Sequence, residues 1–317
     1  MVYWLTRFAS WLARHVPRRI RLRIAGPLTV LIYYFWVEKR RVTIANMAQI
    51  LGTSTRDPRA RRLARDSWRN YGRYISDFFY LPSAKPTEIL QRMKDVSPNE
   101  TAFELVDRAL EDGKGLILVS AHFGAWDVAG VVVASRTLVH LIVETFDDPR
   151  MDRLVQEQRR GLGMDVLRIE KSPRGILRVL EQNGVVAVAV DRPLEPGEGV
   201  PVTFFGRECW VPGGMAQIAL KTGAPILPGF CHYDENYSST YYVTAGPLLY
   251  PESTGNKRAD TIRLMQRLFT VLEETIRQYP EQWAMFRAFW PEEAIPHATA
   301  TGSESLVATV TERAERR

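Results

Sequence analysis

Cysteine is scarce in this chain, with two in 317 residues, Cys209 and Cys231. One disulfide at most can form, and the spacing gives no metal-ligand pair. A disulfide-stapled secreted scaffold and a cysteine-ligated zinc fold are therefore excluded, and two core thiols in reducing surroundings are expected. Long hydrophobic runs are lacking too. The apolar run from Ile24 to Val37 is broken by Gly26-Pro27 and falls short of the roughly 20 residues that a spanning helix needs. No small-residue cleavage site follows it, so no signal peptide is read. The sequence has no Gly-x-Ser-x-Gly elbow, no Walker-type phosphate loop, no His-Glu-x-x-His zinc site and no fixed-period repeat.

What is present is unevenly spread. Residues 1–70 hold 15 Lys/Arg against 3 Asp/Glu, whereas the remaining 247 hold 27 against 33. The basic excess thus belongs to the N-terminus. Aromatic residues crowd the same region. On a helix over residues 2–15, Trp4, Leu5, Phe8, Trp11, Leu12 and His15 share one side, with Arg7 and Arg14 off it. Arg18, Arg19, Arg21 and Arg23 follow. An aromatic face beside arginines suits a helix lying in an anionic lipid interface. A core-packing helix with solvated arginines is the plainer alternative, and single-stranded nucleic acid the weaker one. Residues 38–80 read as helical, with Asp57 capping a helix that starts at Pro58. Trp68, Tyr71, Ile75, Phe78 and Phe79 recur along it at helical spacing.

From residue 113 the pattern alternates. Apolar strands are expected at 116–119, 139–143, 165–169, 185–190 and 226–230, with helices at 125–135, 150–161, 173–182 and 213–222. This alternation predicts an α/β fold: one layered domain with a largely parallel central sheet flanked by helices. An edge strand at 240–245 and a long closing helix at 257–278 complete it. The chain divides into a basic, aromatic helical region (1–80), the α/β core (81–296) and a disordered tail (297–317).

His122 sits where the first strand hands over to a helix, the edge at which α/β sheets bind ligands. With His122 in the turn and Asp127 in the first helical turn the two side chains can meet, and Gly124 lets the backbone fold tightly between them. Asp127 would hold one imidazole nitrogen while the other takes a proton from a hydroxyl. The bare pattern is weak. With 5 His and 36 acidic residues in the chain, chance supplies about 0.6 such pairs. A buried His satisfied by a capping Asp fits the spacing equally. Glu144 and Asp191-Arg192 also follow strands and are candidates to line one cleft. Arg159 and Arg160 end a helix, where they either complement its C-terminus or meet an anion. The Pro212-Gly-Gly214 helix start is a weaker anion candidate. Cys231-His232 is no nucleophile pair, since neighbours on a strand face opposite ways.

Five blocks together resemble the lysophospholipid acyltransferase superfamily, in its lipid A biosynthesis acyltransferase branch. They are Ala121-His-Phe-Gly-Ala-Trp-Asp127, Arg159-Arg-Gly-Leu-Gly-Met164, Asp191-Arg running into Phe204-Phe-Gly206, Pro212 to Pro228, and Tyr279 to Arg287. Lys39-Arg-Arg-Val-Thr-Ile-Ala-Asn46 is similar as well. The ending Trp283-Ala-Met-Phe-Arg-Ala-Phe-Trp-Pro291 looks closer to phosphatidylinositol mannoside acyltransferases. Some of those carry an acidic residue before Phe-Phe-Gly, where Pro201 and Thr203 stand here.

The resemblance implies transfer of a fatty acyl group from an acyl-CoA or acyl-carrier-protein thioester to a hydroxyl of a glycolipid or lysophospholipid. His122 would be the base and Asp127 its orienter. Turn N–H groups near Gly124, or an arginine, would receive the oxyanion. Glu144, Arg159, Arg160, Asp191, Arg192, Phe205 and Gly206 carry over as substrate-binding residues. No metal and no cofactor beyond the co-substrate is implied, and no nucleic acid. The enzyme would be peripheral on the cytoplasmic face of the inner membrane, with an anionic membrane surface as partner and monomer as the default. A thioesterase using the same His, a metal hydrolase, and a non-catalytic lipid-binding protein are the rivals.

Overall fold

A computed structural model describes residues 2–143, 145, 148–168, 173–234 and 240–290. The expected tail and Glu144 lie outside the described residues. Four helices come first: α1 (Val2–His15), α2 (Arg18–Phe35), α3 (Val37–Ile50) and α4 (Pro58–Tyr80). α4 starts as the sequence predicts, with the Asp57 carboxylate accepting the Arg59 N–H and Pro58 in the first turn. α2 crosses α4 tightly because Gly72 has no side chain. A Cβ there would lie 2.5 Å from the Ala25 carbonyl oxygen and 2.6 Å from the Thr29 hydroxyl.

Two of the N-terminal arginines turn inward. Arg18 grips the buried Asp77 with Nε and Nη2, at 3.2 and 2.8 Å. Arg21 donates to the Ser76 carbonyl at 2.6 Å and lies over the Tyr80 ring. These two are therefore structural cations; of the other expected arginines, Arg7, Arg19 and Arg23 are exposed, and the Arg14 side chain lies outside those described. The apolar residues do the opposite. Trp4, Phe8, Trp11 and Leu12 of α1 are 42% to 66% exposed, as are Ile20, Ile24, Leu28 and Leu31 along α2. No described helix is long and apolar enough by itself to cross a membrane.

Between α4 and the first parallel strand lie α5 (Pro86–Gln91), β1 (Met93–Asp95) and α6 (Ala102–Glu111). α6 opens with a reciprocal Thr101–Glu104 capping box. The alternating region then gives β2 (Leu116–Ser120), α7 (Trp126–Ala134), β3 (Val139–Val143), α8 (Pro149–Gly161), β4 (Met164–Arg168), α9 (Pro173–Glu181) and β5 (Val185–Ala189). β6 (Val200–Phe204) and β7 (Arg207–Val211) form a hairpin, followed by α10 (Gly214–Thr222), β8 (Ile226–Tyr233), β9 (Tyr241–Ala245) and α11 (Lys257–Gln278).

Among the described residues the main sheet runs β1-β9-β8-β2-β5-β3-β4. β8, β2, β5, β3 and β4 are parallel, and β9 turns antiparallel to β8 with β1 parallel beyond it. β9 is thus one strand in from the edge expected for it, because the short β1 caps it. The central strands read as continuous apolar runs because both faces are covered. Ile117, Val119 and Val186 pack into one buried cluster with α9, α10 and α11, while Leu116 and Val185 join another with α6 and α7.

Candidate active site

β2 and β5 pair in parallel with Ser120 opposite Ala189. His122 and Asp191 each stand two residues past that pair, on adjacent strands, so their side chains converge at the carboxyl edge of the sheet. The imidazole Nδ1 lies 2.8 Å from Asp191 Oδ1, and the His122 backbone N–H donates to Oδ2 at 2.9 Å. The Trp283 indole N–H donates to the same Oδ2 at 2.9 Å. Asp191 is fully buried and accepts three bonds, as a buried carboxylate requires. A carboxylate only accepts, so Nδ1 carries the hydrogen and Nε2 keeps its lone pair. The His122 side chain is 47% exposed, and Nε2 has no hydrogen bond among the described residues.

The turn that carries His122 is built for this placement. Gly124 has φ +57°, and a Cβ there would collide with the Cys231 carbonyl of β8. Its N–H donates to the Gln282 carbonyl and the Ala125 N–H to the Cys231 carbonyl, while the His122 carbonyl accepts the Ala284 N–H. The turn N–H groups expected to receive an oxyanion are therefore spoken for. His122 N–H goes to Asp191, Phe123 N–H to the Ala121 carbonyl, and Gly124 and Ala125 N–H to the two partners just named.

Partial desolvation pushes the imidazole pKa down, but the charge and hydrogen bond of Asp191 outweigh it, Asp127 adds a smaller upward push, and Arg287 opposes. The net effect is a pKa above the ordinary value. For Asp191, burial pushes the pKa up, yet His122 and the Trp283 N–H hold it below the usual carboxylate range.

Asp127 is not the partner of the imidazole. It is buried, and its two oxygens are taken by the Tyr74 hydroxyl at 2.8 Å and Arg159 Nε at 3.0 Å. The expected His122–Asp127 pairing is corrected on this ground: the short helix-start geometry turns Asp127 back under α7 toward α4 and α8, and the neighbouring strand supplies the carboxylate. Arg159 therefore faces inward on Asp127, whereas Arg160, one residue on, is exposed. Arg192 is exposed beside Asp191. Phe205 and Gly206 form the two-residue turn of the β6–β7 hairpin, both with positive φ (50° and 74°). Phe205 is buried, its N–H donating to Glu273 and its carbonyl accepting from Gln49. Among the described residues this turn contacts α3, α11, Phe204 and Trp290, not the imidazole. Glu144 lies outside the described residues. Among the described residues no three His, Cys, Asp or Glu side chains converge as a metal site would require.

Two residues of the site stood out less in the sequence. Tyr74 continues the helical stripe between Tyr71 and Phe78, so its spacing was legible and its hydroxyl's target was not. Trp283 lies in the terminal block, and only the folded chain brings it to Asp191.

Residues 1–291 match the bacterial lipid A biosynthesis acyltransferase family. The chain is similar to the phosphatidylinositol mannoside acyltransferase of Mycolicibacterium smegmatis, 27% identical over 250 residues and covering 77% of each chain. It is likewise similar to that of Mycobacterium tuberculosis, 28% identical over 253 residues, 77% of this chain and 75% of the relative. Among solved structures, the 1-acyl-sn-glycerophosphate acyltransferase of Thermotoga maritima aligns over 82% of this chain and 98% of its own, with 15% identity and a TM-score of 0.33, a superposition too loose to transfer any detail. The chain is an acyltransferase and belongs to the bacterial lipid A biosynthesis acyltransferase family.

Proposed function

We propose that the protein transfers a fatty acyl group from an acyl-CoA or acyl-carrier-protein thioester to a hydroxyl of a glycolipid or lysophospholipid, with His122 as general base. The observation that carries this reading is the solvent-facing Nε2 of an imidazole whose Nδ1 is fixed on the buried Asp191. Nε2 takes the proton as the acceptor oxygen attacks the thioester carbonyl. The tetrahedral oxyanion then collapses, the C–S bond breaks, and the imidazolium returns its proton to the leaving sulfur. Asp191 keeps the productive tautomer and stabilises the imidazolium. With the turn N–H groups engaged, the exposed Arg287, whose charge bears on His122, is the cation assigned to the oxyanion. The relatives that act on phosphatidylinositol mannosides favour a glycolipid acceptor.

The exposed apolar residues of α1 and α2, with the exposed Arg7, Arg19 and Arg23 on the same two helices, support peripheral attachment to an anionic membrane; the cytoplasmic face is the side on which the thioester donors would meet it. Such attachment brings the site to its lipid substrate.

Labelled palmitoyl-CoA incubated with a total lipid extract tests the reaction, wild type beside His122→Ala, and acyl carrier protein as donor if the coenzyme fails. A labelled lipid made by the wild type alone is expected. Equal product from both proteins would refute the role of His122. Free fatty acid released at a rate that added acceptor does not suppress would make the protein a thioesterase.

A further inference from the structure

The Asp191 side of the imidazole is held by charge and hydrogen bonds. Its flank rests on an aromatic ring. Trp126 meets the His122 ring edge to face, with centroids 5.4 Å apart and planes at 75°. Trp126 is in turn stacked on Tyr74 of α4, at 3.6 Å and 25°. The same Tyr74 donates its hydroxyl to Asp127, the residue after Trp126, at 2.8 Å. One side chain therefore holds two consecutive residues at the start of α7, by stacking on the first and by a hydrogen bond to the second. Tyr71 also stacks with Tyr74, at 5.7 Å, and Phe78 lies tilted to it at 5.9 Å.

We propose that Tyr74 is a positioning residue for His122, setting the imidazole's orientation through Trp126 and the field it feels through Asp127. The inference rests on the reading of His122 as the base, and it assigns α4 a part in the site. The first turn of α7 has no side-chain cap at Ala125, so Trp126 and Asp127 depend on partners from other elements. Burial holds the Tyr74 phenol well above its ordinary pKa, with Asp127 pushing the same way and Arg159 opposing, so the hydroxyl stays a donor. The charges that bear on His122 come from three elements: Asp191 after β5, Asp127 on α7 and Arg287 in the terminal segment. Arg159 from α8 and Tyr74 from α4 both bond Asp127 and so moderate its share.

The two contacts of Tyr74 separate by substitution. Tyr74→Phe keeps the stack and removes the donor. With one partner fewer, Asp127 exerts a stronger negative field, so the His122 pKa rises. Tyr74→Leu removes both contacts. The imidazole titration of His122, followed by NMR in the full-length protein, reads the field without any turnover. Acyl transfer, resolved into kcat and KM, reads the orientation.

For Tyr74→Phe we expect an upward shift of the titration midpoint, a matching alkaline shift of the acid limb of kcat, and a several-fold lower kcat at neutral pH with KM unchanged. For Tyr74→Leu we expect a further loss in kcat of about tenfold. A folded Tyr74→Phe that titrates and turns over as the wild type does would overturn the field through Asp127, and a folded Tyr74→Leu with the kcat of Tyr74→Phe would overturn the orientation through Trp126. A titration shift with no acyl transfer by the wild type would uphold the positioning role and refute the proposed reaction. Normal transfer by the wild type, with neither variant changed in titration or kcat, would do the reverse.

Discussion

His122 and Asp191 make a dyad whose protonation has a definite sign. The imidazole pKa is raised, chiefly because Asp191 outweighs desolvation. A base works only when neutral, so kcat/KM should rise with pH through a limb above the ordinary imidazole value of about 6.5. Asp191→Asn removes the charge that raises the pKa, so the limb moves down. The amide also presents a donor face to Nδ1, which allows the wrong tautomer, and kcat should fall roughly 10²- to 10⁴-fold. A pH profile of acyl transfer for both proteins checks each part. A limb that stays in place in Asp191→Asn would break the link between this carboxylate and the imidazole. Asp127→Asn should also lower the limb, by less, since Asp127 is the smaller contributor.

At the scale of elements, α1 and α2 divide their residues by destination. Arg18 and Arg21 anchor the pair to α4, while the apolar stripe faces outward. The membrane role is therefore best tested by surface substitution. Deleting residues 1–23 would remove Arg18 and leave Asp77 buried without its cation, a fault that typically costs about 3–5 kcal/mol. Replacing Trp4, Phe8 and Trp11 together by Ser removes exposed rings and should leave the fold intact. We expect co-sedimentation with anionic vesicles to fall by at least tenfold, with turnover of a detergent-dispersed acceptor retained. Vesicle binding equal to that of the wild type would exclude α1 as the anchor.

Over the whole molecule, the segment after α11 ties distant parts together. Trp283 is fully buried, packs on Phe204 of the hairpin, Phe289 and Trp290, and donates to Asp191. Asn46 of α3 holds the same segment, donating to the Met285 and Arg287 carbonyls and accepting from the Phe289 N–H. Trp283→Ala should destabilise the protein by about 3–5 kcal/mol through the cavity, measured by urea unfolding. Trp283→Phe keeps most of the ring but not the donor. It should lose activity out of proportion to its smaller loss of stability. Equal proportional losses would mean that the indole N–H serves packing alone.

The α/β alternation, the start of α4 at Asp57-Pro58, and His122 at a strand end were legible in the sequence, because these follow from local periodicity, capping chemistry and turn residues. The sequence also placed Asp191 at a strand end. It did not pair the two. Strand order is set by how helices pack on both faces of the sheet, and only the tertiary structure put β5 beside β2 in the register that brings Asp191 to His122. The His-x4-Asp spacing suggested a local pair, yet Asp127 was claimed by Tyr74 and Arg159, distant in sequence and close in space. The inward turn of Arg18 and Arg21 has the same cause. A helical pattern gives the faces of a helix, and the elements packed against it decide which face is buried.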